Sequence, residues 1–353
     1  MRWIFSLFLL AVSACVCCAA GAAGAFFDGS DSARRRLKLL EDSFAVSLAA
    51  EKFPYGVVCI AENGKIVAAR IVGIPEVENG AELKKLAEKK SLPLGETSLA
   101  AVSFGAAKMA EDGRLDLDWR VSDRFSRYTP PSGTEKYATF RNMLDMRAGV
   151  AADVAGAAKK CSEVYELFGL IAQSFPTGGQ GGRGVYSPMC AAAVGYALGY
   201  ESDKSIKNPK KAFAAFMKRY FFAEIGVGEP KYRAFDSALF PAYAVALTPT
   251  ECAAWLAAES SATVGSEVFD RRVPTGGSRF AAGWTESPRG GLAAQTAAAF
   301  YGGCASEVAV FPSRNVAAAF FAVSGNSGGA RGAKAAAICR KMSDLLGEML
   351  ANR

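Results

Sequence analysis

The sequence of 353 residues contains no histidine. That absence removes every Ser-His-Asp or Cys-His nucleophile arrangement and every zinc site built on imidazole. Ser-x-x-Lys is missing too, so no serine has a lysine base one helical turn away. Ala101-Val102-Ser103-Phe104-Gly105 has the outline of a nucleophile elbow, but it has no histidine partner and lies in a helical pattern with no strand before it. Of nine cysteines, the six beyond the first 18 residues (Cys59, Cys161, Cys190, Cys252, Cys304 and Cys339) are widely spaced and contain no Cys-x-x-Cys pair. A metal cluster is therefore not expected, and no motif calls for a cofactor. Apolar runs long enough for a membrane are also scarce, and the one long run is at the amino terminus.

What is present describes a folded chain. A hydrophobic fraction of 51% with 21% charged residues is globular rather than disordered. The net charge of +7 is spread along the chain, and its densest runs, Arg34-Arg35-Arg36 and residues 204–211, read as solvated faces rather than as a nucleic-acid surface. Arg2 precedes an apolar run over 3–18, and small residues continue to Ala25 before the sequence turns polar at Asp28. This predicts an export signal over residues 1–25, with Ala23-Gly24-Ala25 as the cleavage site and Phe26 as the new terminus. Val12-Ser13-Ala14-Cys15 offers a bacterial lipobox as the alternative, in which a lipidated Cys15 would hold the protein at a membrane. The expected location is thus secreted, periplasmic or cell-surface. In an oxidising compartment the six remaining cysteines permit disulfides, and buried thiols on apolar faces are the competing expectation.

Periodicity lays out the rest. Leu37, Leu39, Leu40, Phe44, Ala45 and Leu48 predict an amphipathic helix over 36–51. Two β-branched runs, 55–61 and 66–72, are joined by Glu62-Asn63-Gly64-Lys65, a hairpin signal. A helix is expected over 98–111, then a largely helical middle to about residue 258. Strands are expected over 280–285, 307–311 and 317–323, with Pro312-Ser313-Arg314-Asn315 as a turn, and a helix over 333–350 closes the chain. Strands at both ends with a helical block between them imply an antiparallel sheet built from both termini.

Leu94-Gly95-Glu96-Thr97-Ser98-Leu99, running on to Gly113-Arg114-Leu115-Asp116-Leu117-Asp118, resembles the active-site helix of the serine β-lactamase and penicillin-binding-protein superfamily. Further segments are similar to that family in the same order: Thr139-Phe140-Arg141-Asn142-Met143-Leu144 through Gly149-Val150, Val185-Tyr186-Ser187-Pro188, Leu247-Thr248-Pro249-Thr250-Glu251, and Tyr301-Gly302-Gly303-Cys304. The resemblance implies an α/β (α+β) fold of the β-lactamase/transpeptidase type in a domain over 26–353. Its sheet part would comprise 34–75 and 279–353, with terminal helices on the sheet. An inserted helical part would comprise 92–258, with a cleft between the two.

The resemblance also fixes what the site should contain. Its serine position is Glu96 and its lysine position is Leu99, Tyr186 is retained, Pro188 replaces the asparagine, and Tyr301, Gly302 and Gly303 occupy the region of the Lys-Thr-Gly strand. Glu96 at a helix start is expected to cap the helix or fill the oxyanion space, with a carboxylate nucleophile or base as the competing role. Two functions remain open. One is a non-catalytic exported protein whose cleft, lined by Glu96, Tyr186, Tyr301, Gly302 and Gly303, binds a small molecule or cell-wall-type peptide or serves as a scaffold. The other is an active esterase, peptidase or β-lactamase with a displaced nucleophile such as Ser98 or Ser103.

Overall fold

A computed structural model describes residues 25–73, 89–152, 156–177, 181, 184–232, 237–324 and 329–352. The expected export signal and Cys15 lie outside the described residues, apart from Ala25. The first helix, α1 (Asp31–Ala50), starts five residues earlier than its apolar stripe suggests, because Ser30 accepts the Ala33 N–H as N-cap. Strands β1 (Tyr55–Glu62) and β2 (Lys65–Val72) form the expected hairpin, with Asn63 and Gly64 both at positive φ.

The large sheet has the order β2-β1-β10-β9-β8-β7-β6. Its carboxy-terminal strands are β6 (Phe280–Ala281), β7 (Trp284–Glu286), β8 (Gln295–Tyr301), β9 (Cys304–Phe311) and β10 (Val316–Val323), and every pairing is antiparallel. β10 lies beside β1, so the two ends of the chain do build one sheet. Residues 280–285, expected as one strand, are instead a tight hairpin whose tip places Ala282 and Gly283 at positive φ.

Alternation sorts the sheet's side chains between two cores. Val58 and Ile60 of β1, with Ala318, Phe320 and Ala322 of β10, face α1 and the last helix, which runs from Gly329 to Ala351. Val57, Cys59, Ala61, Ala317, Ala319 and Phe321 face the opposite core. Because both faces are covered, β1 is buried along its whole length and carries no polar face.

The longer helices of the middle segment are α2 (Ser98–Glu111), α3 (Val164–Gln173), α4 (Pro188–Ser202), α5 (Pro209–Met217) and α6 (Pro249–Ser261), and the last helix is α7. α6 packs on β1, β2 and β10 and opens with a capping box between Thr248, its N-cap, and Glu251. A small sheet, β3 (Leu92–Pro93), β5 (Val245–Leu247) and β4 (Lys231–Tyr232), ties the entry to α2 to the entry to α6. All six cysteines beyond residue 25 are buried. Cys59, Cys190, Cys252 and Cys339 are thiols rather than disulfides, and the Cys190 S–H points to the Met143 carbonyl. These four side chains contribute packing rather than cross-links.

Candidate functional site

The site is built around the start of α2. β3 delivers the chain to Leu94, whose N–H donates to the Val245 carbonyl at 2.9 Å, and a single 3₁₀ turn, Gly95–Thr97, then leads into the helix. Gly95 sits at φ +56°, and a Cβ there would stand 2.7 Å from Cβ of Tyr301 on β8. Gly283, at the tip of the β6–β7 hairpin with φ +92°, approaches from another direction, and its Cβ would fall 2.6 Å from the Ala100 nitrogen. Two glycines thus let two pieces of the sheet close on the first turn of α2. β8 pairs with β7 only at Gln295 and Thr296, and its far half runs beside the 95–97 turn.

Helix α2 is apolar nearly all round, and every residue from Ser98 to Ala107 is buried. The four positions singled out from the sequence therefore have very different surroundings. Glu96 is exposed and lies within the 3₁₀ turn; the cap positions are Leu94 and Thr97, and neither caps through a side chain. The expected N-cap role for Glu96 is thus not realised, because the extra turn moves the helix start past it. Leu99 is 1% exposed and belongs to the hydrophobic core.

Ser98 and Ser103, the candidates for a displaced nucleophile, point into the protein. Ser98 is fully buried, and its hydroxyl has no hydrogen-bond partner among the described residues. The Ser103 hydroxyl donates to the Ala100 carbonyl at 2.9 Å and accepts from Nε of Arg271 at 3.2 Å. Neither oxygen is open to a substrate, and Ser103 serves as a helix-packing contact.

Tyr186 does reach the site. Its backbone is held on both sides: the Val185 N–H donates to the Met146 carbonyl, and Ser187 donates from its hydroxyl to the Ala151 carbonyl at 2.5 Å while capping α4 at the Cys190 N–H. Pro188 is the first residue of α4, where a missing N–H costs nothing. Burial pushes the Tyr186 phenol well above its ordinary range, and the neighbouring Glu96, Tyr243 and Cys190 push in the same direction.

Tyr301 stacks on Tyr243, with ring centroids 5.5 Å apart and planes 21° apart. The structure therefore brings Glu96, Tyr186, Tyr243 and Tyr301 together. Gly302 and Gly303, both at positive φ, form the β8–β9 turn just beyond them, and the Gly303 carbonyl accepts from Ser324.

Two participants were not visible in the sequence. Tyr243 ends a four-residue helix, Phe240–Tyr243, that has no periodic signal. Asp145, at the end of the short helix Phe140–Leu144, accepts the Ala282 N–H at 3.1 Å and so holds the β6–β7 hairpin that presses on α2. Burial raises its carboxyl to about 6, against the pull of Arg147, the Ala282 N–H and Arg141. No group of three or more Cys, Asp or Glu side chains suited to a metal occurs among the described residues.

Comparison with known proteins agrees with this fold. The family profile described as β-lactamase matches residues 40–339. A β-lactamase/D-alanine carboxypeptidase from Yersinia pestis, solved with citrate, superposes with a TM-score of 0.67 at 14% identity, covering 88% of this chain and 98% of that one. A class C β-lactamase from Rhodobacter sphaeroides gives 0.62 at 16% identity, with 88% and 99% covered. SurE in complex with D-Leu gives 0.66 at 14% identity, with 89% and 76% covered. No curated protein sequence matches the chain. The mixed fold, with its antiparallel sheet assembled from both ends of the chain, and the profile over most of its length lead to one statement of identity: this chain belongs to the β-lactamase family.

Proposed function

We propose that this protein is an exported, non-catalytic member of the β-lactamase family whose cleft holds a small molecule or a cell-wall-type peptide without forming an acyl-enzyme. One observation carries the reading. At the position where the family resemblance expects the lysine, Leu99 is buried in the core, while the serine position is an exposed carboxylate, Glu96. Acyl transfer in such a cleft needs an oxygen nucleophile and a base to deprotonate it. The two nearest hydroxyls on the same helix, Ser98 and Ser103, are buried. What remains at the cleft, a carboxylate and three tyrosines, suits binding by hydrogen bonds and ring contacts. Export is supported by the charged, apolar and small-residue order of the first 25 residues. No helix among the described residues is long and apolar enough to cross a membrane.

The test is direct. Purified protein is incubated with a chromogenic cephalosporin, a nitrophenyl ester and a fluorescent penicillin, and its intact mass is then read. The expected result is an unmodified mass and no turnover; an acyl adduct or hydrolysis above background would reject the reading. Glu96→Ser combined with Leu99→Lys provides the positive counterpart, in which an adduct is expected once both groups are restored.

A further inference from the structure

The residue that would become the amino terminus is buried in a contact that a free terminus would strengthen. Phe26 is 3% exposed, and its backbone nitrogen lies 2.5 Å from Oε1 of Glu62; the Phe27 nitrogen lies 2.8 Å from Oε2. Glu62 ends β1 and is 4% exposed, so its carboxylate sits where charge is costly unless opposed. The guanidinium of Arg36, on α1, lies 4.2 Å from the centre of the Phe26 ring and donates to the Phe26 carbonyl, which fixes the residue from its other side. Ala25, by contrast, is exposed.

We propose that the chain matures by cleavage between Ala25 and Phe26, and that the α-ammonium of Phe26 so created is a buried ionic partner of Glu62, making export processing the step that completes the fold. The inference rests on the export reading above. In the cleavage, an endopeptidase of the export apparatus uses one water to break the Ala25–Phe26 amide, leaving a carboxylate on Ala25 and an ammonium on Phe26. The small residues Ala23 and Ala25 are what such an enzyme reads. Because Phe26 is buried in the folded protein, the bond has to be cut before α1 docks. The product converts a hydrogen bond from an uncharged amide N–H to the carboxylate into an ion pair in which donor and acceptor are both charged. At neutral pH an α-amino group is mostly protonated, so the gain is available under working conditions. Every helix and strand described lies within residues 31–351, so a chain beginning at Phe26 keeps the whole fold.

Two measurements test this. The mass of the exported form reads the cleavage, and a chain beginning at Phe26 is expected. The ion pair is read by a cycle of urea unfolding on 26–353, with the terminus free or acetylated, in wild type and in Glu62→Gln. The free terminus should favour folding about tenfold over the acetylated one in wild type. That advantage should vanish in Glu62→Gln, whose amide oxygen still accepts the Phe26 N–H. A chain carrying Ala25 as an extra residue should behave like the acetylated one. An advantage that persists in Glu62→Gln, or none in wild type, overturns the ion pair, and an exported form starting elsewhere, such as at a lipidated Cys15, overturns the cleavage. A full-length chain retained inside the cell would instead overturn the export reading itself.

Discussion

Glu259 is the position at which a single conservative change should be most damaging. It lies on α6 with its side chain fully enclosed. Its Oε1 accepts from the Trp255 indole at 2.8 Å and pairs with Arg271, and its Oε2 accepts from Arg272 at 2.8 Å. The two arginine side chains are 3% and 1% exposed. Burial lowers Arg272 to about 10, Glu259 opposes that shift and Arg271 adds to it, so one carboxylate is shared by two crowded cations. Glu259→Gln keeps the shape and removes the charge. Breaking a buried ion pair from one side typically costs about 3–5 kcal/mol, a large part of the roughly 5–15 kcal/mol that separates folded from unfolded chains. Trp255 and Trp284 lie beside the cluster, with ring centroids 6.1 Å apart, so their fluorescence reports its integrity directly. Urea unfolding followed at those indoles should show a midpoint lowered accordingly with an unchanged slope. A loss below about 1 kcal/mol would refute the argument, because it would mean that water or proton loss relieves the arginines.

Two further outcomes follow from the clamp on α2. Asp145 has a folded-state pKa of about 6, above the usual carboxylate value, so the stability linked to its protonation is fully present below about pH 4 and is lost as pH rises through 6. The wild type should therefore weaken over that window relative to Asp145→Asn by at most about 3 kcal/mol, read by urea unfolding at stepped pH, and parallel curves for the two proteins would contradict this. Gly95→Ala should cost about 1–3 kcal/mol, from positive φ and the contact with Tyr301, whereas Gly113→Ala, at φ +69° with nothing within 4 Å, should cost about 1 kcal/mol from φ alone. Equal losses in thermal unfolding would show that β8 yields at Tyr301.

How much of this was legible varied with the physics of each element. The β1–β2 hairpin was readable because Asn63-Gly64 is a local signal for the positive φ that both residues adopt. The true start of α1 was hidden by its polar first turns, where Arg34 and Arg35 face solvent and only the Ser30 cap marks the boundary. β8 escaped because Ala297-Ala298-Ala299 has little strand preference of its own; its register is imposed by β9, opposite residues 304–310. The 280–286 hairpin escaped because Ala282 carries no sign of its φ of +48°. At the site, Glu96, Leu99 and Tyr186 could be placed by family resemblance. Tyr243 and Asp145 arrive there only through tertiary packing, which no local pattern records.

Leu99 joins the fold to the proposed function. An amine base at that position would have to be held partly desolvated against a core that otherwise excludes charge, which is how such a lysine acquires a lowered pKa and also how it weakens the protein around it. Leu99 instead fills its place in a helix buried along its first ten residues, and burying a leucine side chain contributes about 1.5–3 kcal/mol. The Gly95 and Gly283 approaches, the Asp145 bond to the hairpin and the Tyr243–Tyr301 stack all lie around the start of that helix. Each of these holds the surroundings of the first turn of α2, and none of them needs a reacting group to do so. In the non-catalytic function proposed above, the lysine position is given over to core packing. The same packing is also why a catalytic variant should regain acylation only at a cost in stability.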